Sequence, residues 1–419
     1  MGLGRIVAVT VRRSLGIAAC LCLVAVGVLV LAIPSARGSS RRHAAAASAF
    51  DPYSVTFVSL HTGWALGTAP CASAGHCLGL RATSDAGHSW LVRPLPAALL
   101  AVADRKVRGV PADLAQGPGS GLNVRFANTS DGWIYGGLAV ATKPSAGTKI
   151  APVLWSTHDG GLIWKRQPLR GLGAQDTIFD LQAARGTAYL LESTKTYGTL
   201  TVKSSPVSSD SWQVSTTAAL GGPAGGSEQT GSFVLAGASG WLVEGNDRGT
   251  TGSARLEDGR WVAWTPPCAA VGHSFSIPAA STPSNLVASC VMGGFAYPLS
   301  KSAPPGATLG SIWLYFSSDG GKTFTAGPEI AARLGFLGVL ASPSPAVVLA
   351  DGVSASGKQD LVGSFDGGVQ WSVVYTGDIA YLGFTSPTQG VGIVRNDQRA
   401  TSTMIMSFDG GHHWAPVSF

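Results

Sequence analysis

The stretch Ser364–Trp371 reads SFDGGVQW, one of five copies of a phrase of the form Ser/Thr-x-Asp-x-Gly-x-x-aromatic. Such a phrase is typical of a tight hairpin turn, because the Asp accepts bonds from turn amides, the glycine adopts a positive φ and the aromatic residue anchors the next strand. We call these copies the boxes. They run Thr83–Trp90, Thr157–Trp164, Ser317–Phe324, Ser364–Trp371 and Ser407–Trp414.

A second phrase precedes the boxes and makes the repeat longer than a hairpin. Val55–Gly67 (VTFVSLHTGWALG) and Val124–Gly136 (VRFANTSDGWIYG) each read as a strand, a polar turn and a second strand that opens with Gly-Trp. Weaker copies of this opener recur, and shortened boxes occur at Ser208–Trp212 and Leu256–Trp261. Pairing openers with boxes gives seven units of roughly 52 residues, close to the length of a four-stranded propeller repeat. The pattern predicts an all-β fold, a seven-bladed β-propeller of four-stranded antiparallel blades.

The composition agrees with this fold. Gly accounts for 56 of 419 residues, as tight turns require, and only 12% of residues are charged, as buried sheet faces require. No sustained helical period follows residue 50, whereas short β-rich runs bounded by Gly, Pro, Ser and Asp recur. We therefore expect one propeller domain over residues 51–419.

The N-terminus predicts where the protein works. Residues 1–13 form a basic cytoplasmic region, and residues 14–33 are an uncharged apolar run that ends at Pro34, long enough to span a bilayer. This run is either a cleaved signal peptide or an uncleaved signal-anchor helix, and residues 34–50 form an Ala/Ser/Arg stalk. We expect an extracytoplasmic protein of the bacterial cell envelope, anchored to the cytoplasmic membrane or secreted.

The net charge of +6 belongs to the leader and stalk rather than to the propeller. Six of the 29 Lys and Arg residues precede residue 43, which leaves 23 basic residues against 23 Asp and Glu. The domain thus lacks the basic field that nucleic-acid binding requires, and that function class is excluded.

Four cysteines follow the apolar run and suit an exported protein. We expect structural disulfides between Cys71 and Cys77 and between Cys268 and Cys290, although the sequence alone allows three pairings. The rival interpretation is a zinc site with the nearby His76 and His273, but no Cys-x-x-Cys spacing is present. We predict neither a metal nor a cofactor.

Strand order in a propeller blade predicts two different faces. Loops between second and third strands, and those between blades, share one face, which we call the loop face; the boxes lie on the opposite box face. Long inserts at 68–79, 91–122, 137–152 and 293–311 all belong to the loop face, and loops of that length are often functional. The candidate binding residues there are Arg105, Lys106, Arg108, Lys143, Lys149 and Tyr297.

The Asp and aromatic positions that recur in the five boxes have a structural explanation. A turn position makes a structural role far more common than catalysis for their carboxylates, and the aromatic residues fit core anchors between blades. The structural set is Asp85, Trp90, Asp159, Trp164, Asp319, Phe324, Asp366, Trp371, Asp409 and Trp414. No nucleophile elbow is present, so we name no catalytic residue.

Together, the boxes and openers resemble Asp-box (BNR) repeat propellers, and most closely the photosystem II assembly-factor propeller family. Related repeats occur in sialidases, sortilin-type receptors and xyloglucan hydrolases. The resemblance covers residues 55–419, is weakest in blades 3, 4 and 5, and implies an extracytoplasmic, non-catalytic scaffold that holds another protein. We expect the protein to be a monomer. The alternative is a carbohydrate-binding protein or a sialidase-like glycoside hydrolase that acts on an envelope glycan.

Overall fold

Seven four-stranded antiparallel sheets make up the described part of this computed structural model. The structure describes residues 50–71, 75–104, 121–141, 148–169, 177–193, 200–215, 230–246, 249–270, 276–291, 311–330, 339–353, 358–396, 399 and 401–419. The leader, the apolar run and the stalk before Phe50 lie outside these ranges, so their predicted boundaries stay predictions. Within the ranges, no helix combines the length and the apolar character needed to cross a bilayer.

Each sheet is one blade, and its four strands follow one another in the chain. Blades 1 to 4 contain β1 (Asp51–Phe57), β2 (Gly63–Cys71), β3 (Gly75–Thr83), β4 (Leu91–Arg93); β5 (Leu122–Phe126), β6 (Gly132–Ala141), β7 (Thr148–Thr157), β8 (Lys165–Arg166); β9 (Thr177–Ala184), β10 (Thr187–Ser193), β11 (Leu200–Pro206), β12 (Gln213–Val214); β13 (Thr230–Ala236), β14 (Ser239–Asn246), β15 (Gly249–Glu257) and β16 (Arg260–Ala263).

Blades 5 to 7 follow the same plan. They contain β17 (Ser276–Ala280), β18 (Leu286–Val291), β19 (Ile312–Ser317), β20 (Thr325–Glu329); β21 (Leu340–Ser344), β22 (Val347–Val353), β23 (Gln359–Ser364), β24 (Ser372–Thr376); β25 (Asp378–Phe384), β26 (Gly390–Asn396), β27 (Thr401–Ser407) and β28 (Ala415–Pro416). The helix α1 (Ala97–Asp104) follows blade 1, and a single 3-10 turn (Pro267–Ala270) follows blade 4. The predicted seven-bladed all-β propeller is confirmed.

The first strand of each blade contacts the first strands of neighbouring blades, so these strands surround the central axis. Apolar side chains fill the space between blades. Between blades 1 and 2, for example, the ring of Trp64 stacks on Phe126 with centroids 3.7 Å apart, and Leu66 and Leu80 beside them are fully buried. The core is therefore a ring of interfaces between sheets, as expected when each blade has two apolar faces.

Blades 7 and 1 close the ring without sharing a strand, because both sheets are made of consecutive strands. The seam consists of side-chain contacts. Phe419 packs against Phe50 and Trp90, with centroids 4.6 and 4.7 Å apart, and Gln389 donates from Nε2 to the carbonyl of Leu60 at 2.7 Å.

The two faces have the predicted contents. The box of each full-length copy lies beside the turn between the first two strands of its own blade: Gly160 donates to the carbonyl of Ser130 at 2.9 Å, and Gly410 donates to Thr388 at 2.9 Å. The end of the second strand, the start of the third strand and the first residues of each blade lie at the opposite edge. This edge is the loop face.

Two of the predicted inserts consist of paired strands in the residues that the structure describes. Residues 68–79 and 137–152 lie largely in extended strands, because β2 pairs with β3 as far as Cys71 and Gly75, and β6 pairs with β7 as far as Ala141 and Thr148. These segments are rich in Gly, Ala and Thr and look like loops in sequence, but backbone pairing needs no large side chains. In the insert 91–122, β4 and α1 occupy the described part, and only residue 311 of the insert 293–311 is described.

Cys268 and Cys290 form a disulfide with their Cα atoms 5.5 Å apart. It joins the 3-10 turn after blade 4 to β18 of blade 5, across an interface between blades. Cys77 in β3 is also disulfide-bonded, while the side chain of its predicted partner Cys71 lies outside the described set.

Candidate binding face and central cluster

The box carboxylates are fully engaged in their own turns. Oδ1 of Asp366 accepts hydrogen bonds from Ser364 Oγ at 2.9 Å and from the amides of Val369 and Gln370 at 3.0 and 2.9 Å. The other four boxes repeat the bond from the first-position hydroxyl and accept one or two of the same amides. In addition, the hydroxyl of the first box residue accepts a hydrogen bond from the backbone amide of the fifth, which is 2.8 Å long for Gly368.

These bonds keep the box carboxylates ionised. The hydroxyl and amide of Ser89 lower the pKa of Asp85 to about 2, and the hydroxyl and amide of Thr323 lower the pKa of Asp319 as well. A carboxyl with so low a pKa is a poor general acid at neutral pH. The indole Nε1 of Trp90, Trp164, Trp371 and Trp414 donates to the glycine carbonyl of its own box, at 2.9 to 3.2 Å. The boxes thus hold turns together.

Among the described residues, the strand pairs that reach the loop face are longest in blades 1 and 2. β6 and β7 are ten residues long and form the longest hairpin of the described ring, next to the nine-residue strands β2 and β3. Helix α1 contacts both β3 and β6, and Leu99 on this helix is buried in the core between the two blades. The helix is therefore fixed to the ring beside both hairpins.

Five of the six predicted binding residues belong to blades 1 and 2 or to the segment between them, and the side chains of all six lie outside what the structure describes. Arg105, Lys106 and Arg108 follow the last residue of α1, and Lys143 precedes β7. Lys149 is in β7 opposite Val140, with its side chain outside the described set, and Tyr297 lies outside the described ranges. Whether these side chains come together stays a prediction.

An arginine occupies the ring axis, where sequence analysis named no residue. Arg125 in β5 donates from Nε to the carbonyl of Leu181 in β9 at 3.1 Å, and its guanidinium lies 3.9 Å from Asp180. Asp180 accepts a hydrogen bond from Tyr135 Oη at 2.9 Å, and Tyr381 in β25 interacts electrostatically with Arg125. We call Arg125, Tyr135, Asp180 and Tyr381 the central cluster; it joins blades 2, 3 and 7.

Electrostatics keep Arg125 charged and Tyr135 protonated in the central cluster. Burial alone would lower the pKa of Arg125, but Tyr381, Tyr135 and Asp180 together raise it, so its positive charge persists. Burial raises the pKa of Tyr135, with Asp180 adding to the effect, so its hydroxyl remains a donor. The cluster therefore offers a fixed cation at Arg125 and a protonated phenol at Tyr135, a pair suited to binding rather than to nucleophilic attack.

A second cluster joins blades 2 and 3 on the box face. His158 Nδ1 lies 2.7 Å from Asp131, and its Nε2 lies 3.6 Å from Asp210, which belongs to the shortened box of blade 3. Gln167 donates to Asp210 at 2.6 Å. Because blade 3 lacks the two glycines of a full box, the carboxylate of Asp210 faces blade 2 rather than its own turn. This histidine links two blades, whereas the sequence suggested only a variable box position.

Two acidic side chains are buried at equivalent positions of blades 3 and 4. Each is the sixth residue of its strand, Glu192 in β10 and Glu244 in β14. Glu192 forms an ion pair with Lys203 at 2.7 Å. Glu244 is fully buried, and neither of its carboxylate oxygens has a hydrogen-bond partner among the described residues, so burial raises its pKa to about 7. The described residues include no group of three His, Cys, Asp or Glu that could hold a metal ion.

Comparisons with known proteins extend to the fold alone. No family model matches the chain, and no curated protein matches it in sequence. Among solved structures, YCF48 bound to a D1 peptide is similar with a TM-score of 0.50 and 19% identity, over 86% of this chain and 94% of that one. YCF48 from Cyanidioschyzon merolae gives a TM-score of 0.52 and 14% identity, over 86% and 96% of the two chains.

Enzymes share this architecture too. A puromycin-hydrolyzing peptidase of Mycobacterium tuberculosis has a TM-score of 0.51 and 13% identity, over 89% of this chain but 53% of the peptidase. All three identities are too low to transfer a function, because one fold hosts many unrelated activities. The chain is a seven-bladed β-propeller similar in fold to the YCF48 propellers.

Proposed function

We propose that this protein is a non-catalytic scaffold that binds another protein through the loop face over blades 1 and 2. One observation carries the proposal: the two longest hairpins of that face stand side by side, with α1 fixed against both of them. A ring needs only short connections to close, so strands that continue past the neighbouring blades provide surface for something else.

The chemistry of the described residues supports binding over catalysis. The box carboxylates stay ionised within their turns, and the arginine of the central cluster keeps its charge. Rigid strands that present a few fixed polar groups suit recognition of a peptide or a protein surface. A D1 peptide is bound in the YCF48 structure, which is a protein-binding precedent on the same fold.

The location of this function is part of the proposal. An apolar run at residues 14–33, followed by the stalk, would hold the propeller outside the cytoplasmic membrane of a bacterial cell. The propeller would act there as a monomer tethered near the membrane surface, and its partner would be a protein of the same compartment.

Crosslinked affinity capture from the native membrane tests this function. The full-length protein should co-purify with a reproducible protein partner, with crosslinks on blades 1 and 2. Replacing Arg105, Lys106 and Arg108 with Ala should reduce capture at least tenfold without lowering the melting temperature, because charged side chains in the predicted insert 91–122 are not expected to contribute to the apolar core.

A control with the same loss of charge is available on the box face. Arg185, Arg260 and Lys322 are exposed there, and replacing all three with Ala should leave capture unchanged. Equal loss in both triple variants would mean that net charge, not the loop face, drives capture. Recovery of envelope glycans without any protein would contradict the scaffold and favour the carbohydrate-binding alternative.

A further inference from the structure

A cleft opens on the box face between blades 5 and 6. Its volume is about 190 Å³, and its walls include Asn285, Phe316, Ser318, Thr325, Ser342 and Pro345. Ser318 and Thr325 are exposed at the cleft, whereas Ser342 is buried. The cleft is far from blades 1 and 2 in the ring order and on the opposite face from the loops.

Two features of blades 5 and 6 leave space at the cleft. In blades 1 and 4 an opener tryptophan reaches the next blade, with Nε1 of Trp64 donating to Gly160 at 3.2 Å and Nε1 of Trp241 donating to Gly320 at 3.1 Å. In blade 5 the second residue of β18 is Val287, which stands where Trp64 stands in β2. Blade 6 also begins with a two-residue turn at Pro345, because Ser344 pairs directly with Val347. Neither side fills the gap.

We propose that this cleft binds a neutral monosaccharide ring. Every described lining residue is uncharged, so an ionised ligand would lose hydration without gaining a counter-charge. The volume corresponds to about six water molecules at ~30 Å³ each, about the size of one sugar ring. The ligand is therefore small and neutral.

The walls match the two kinds of surface on a sugar. Ser318 and Thr325 supply exposed hydroxyls, whereas the buried Ser342 hydroxyl already donates to the carbonyl of Ser344 at 3.1 Å. The side-chain amide of Asn285 adds a carbonyl oxygen that no described donor occupies. Val287, Phe316 and Pro345 provide apolar contact for the C–H groups of a ring. For a ligand of about twelve heavy atoms, typical ligand efficiency gives a Kd of about 1–10 mM.

Saturation-transfer NMR of the full-length protein in detergent micelles tests the site. The probes are glucose, galactose, mannose and N-acetylglucosamine, with glucuronate as the charged comparison. At least one neutral sugar should bind with a Kd in the range of about 1–10 mM, and glucuronate should bind at least tenfold more weakly. Absence of saturation by all four neutral sugars at about 50 mM would overturn the proposal.

Variants at exposed residues connect binding to the cleft. Ser318→Trp should block the opening and weaken binding at least tenfold, and Thr325→Lys should do the same by adding a charge. Ser84→Trp is the matched control, because Ser84 is exposed at the same position of the first box, and it should bind as the wild type does. If either test variant lacks the wild-type near-ultraviolet circular dichroism, the other decides. Undiminished binding by a folded test variant would show that the sugar binds elsewhere.

Discussion

The buried carboxyl of Glu244 makes the stability of the propeller depend on pH in a calculable way. Its pKa is raised from 4.5 to about 7, because burial without a hydrogen-bond partner disfavours the charged form. Between these values the folded chain binds a proton that the unfolded chain releases. The stability associated with the neutral form is therefore fully present below pH 4.5 and is lost as the pH rises through about 7.

The change Glu244→Gln imitates the neutral acid and should remove this dependence. At about 1.4 kcal/mol per pH unit, a pKa raised from 4.5 to about 7 corresponds to about 3 kcal/mol at alkaline pH. Most of it, about 2.5 kcal/mol, is lost between about pH 5 and pH 9. Relative to the wild type, the glutamine variant should gain about that much stability over the same interval.

Urea unfolding followed by tryptophan fluorescence at pH 5 and pH 9, with disulfides oxidised, measures the difference. Glu329→Gln is the matched control, because Glu329 is exposed in β20 and its neutralisation should alter the pH dependence by only a few tenths of a kcal/mol. If the stability of Glu244→Gln relative to wild type is the same at both pH values, Glu244 is not an unpaired buried carboxyl, and the argument fails.

Two further predictions concern the turns and the seam. Ala86 adopts a φ of 61° at the box position where other boxes have glycine, so Ala86→Gly should stabilise the protein by about 0.5–1 kcal/mol in urea unfolding. Gly367→Ala, which makes the reverse change where a Cβ has open space, should destabilise by about 1 kcal/mol; equal effects of both changes would exclude backbone strain as the cause. Phe419→Ala should destabilise the folded protein by about 2–4 kcal/mol, because it removes packing between blades 7 and 1. Phe408→Ala, at a side chain that is 55% exposed, should change the stability little. A negligible effect of Phe419→Ala would show that other contacts close the ring.

The sequence predicted the number of blades because the information is local. An Asp-Gly turn and a flanking aromatic residue act within eight residues, so each box can be recognised without knowing its neighbours. Blades 3 and 4 lack full boxes, yet they form because short turns such as Asp258-Gly259, both with positive φ, perform the same task. Even weak repeats were therefore assigned to the right fold.

The long-range contacts could not be predicted in this way. Arg125 and Tyr381 are far apart in the sequence, in blades 2 and 7, yet they interact in the folded ring. His158 meets Asp210 only because blades 2 and 3 are adjacent. Strand alternation indicates which residues face a neighbouring sheet, but not which side chain lies opposite. Likewise, strand alternation does not reveal that Glu244 is buried without a hydrogen-bond partner among the described residues.

The interface between blades 7 and 1, which share no strand, affects the order in which the ring folds. Six of its interfaces join blades that are neighbours in the chain, whereas the seventh joins Gln389 to Leu60, 329 residues apart. Contacts of such separation form late, because a long loop must close before they contribute. The seventh interface should therefore be the last step of folding, and a circular permutant that links the ends and opens the chain between two other blades should move that slow step to the new gap.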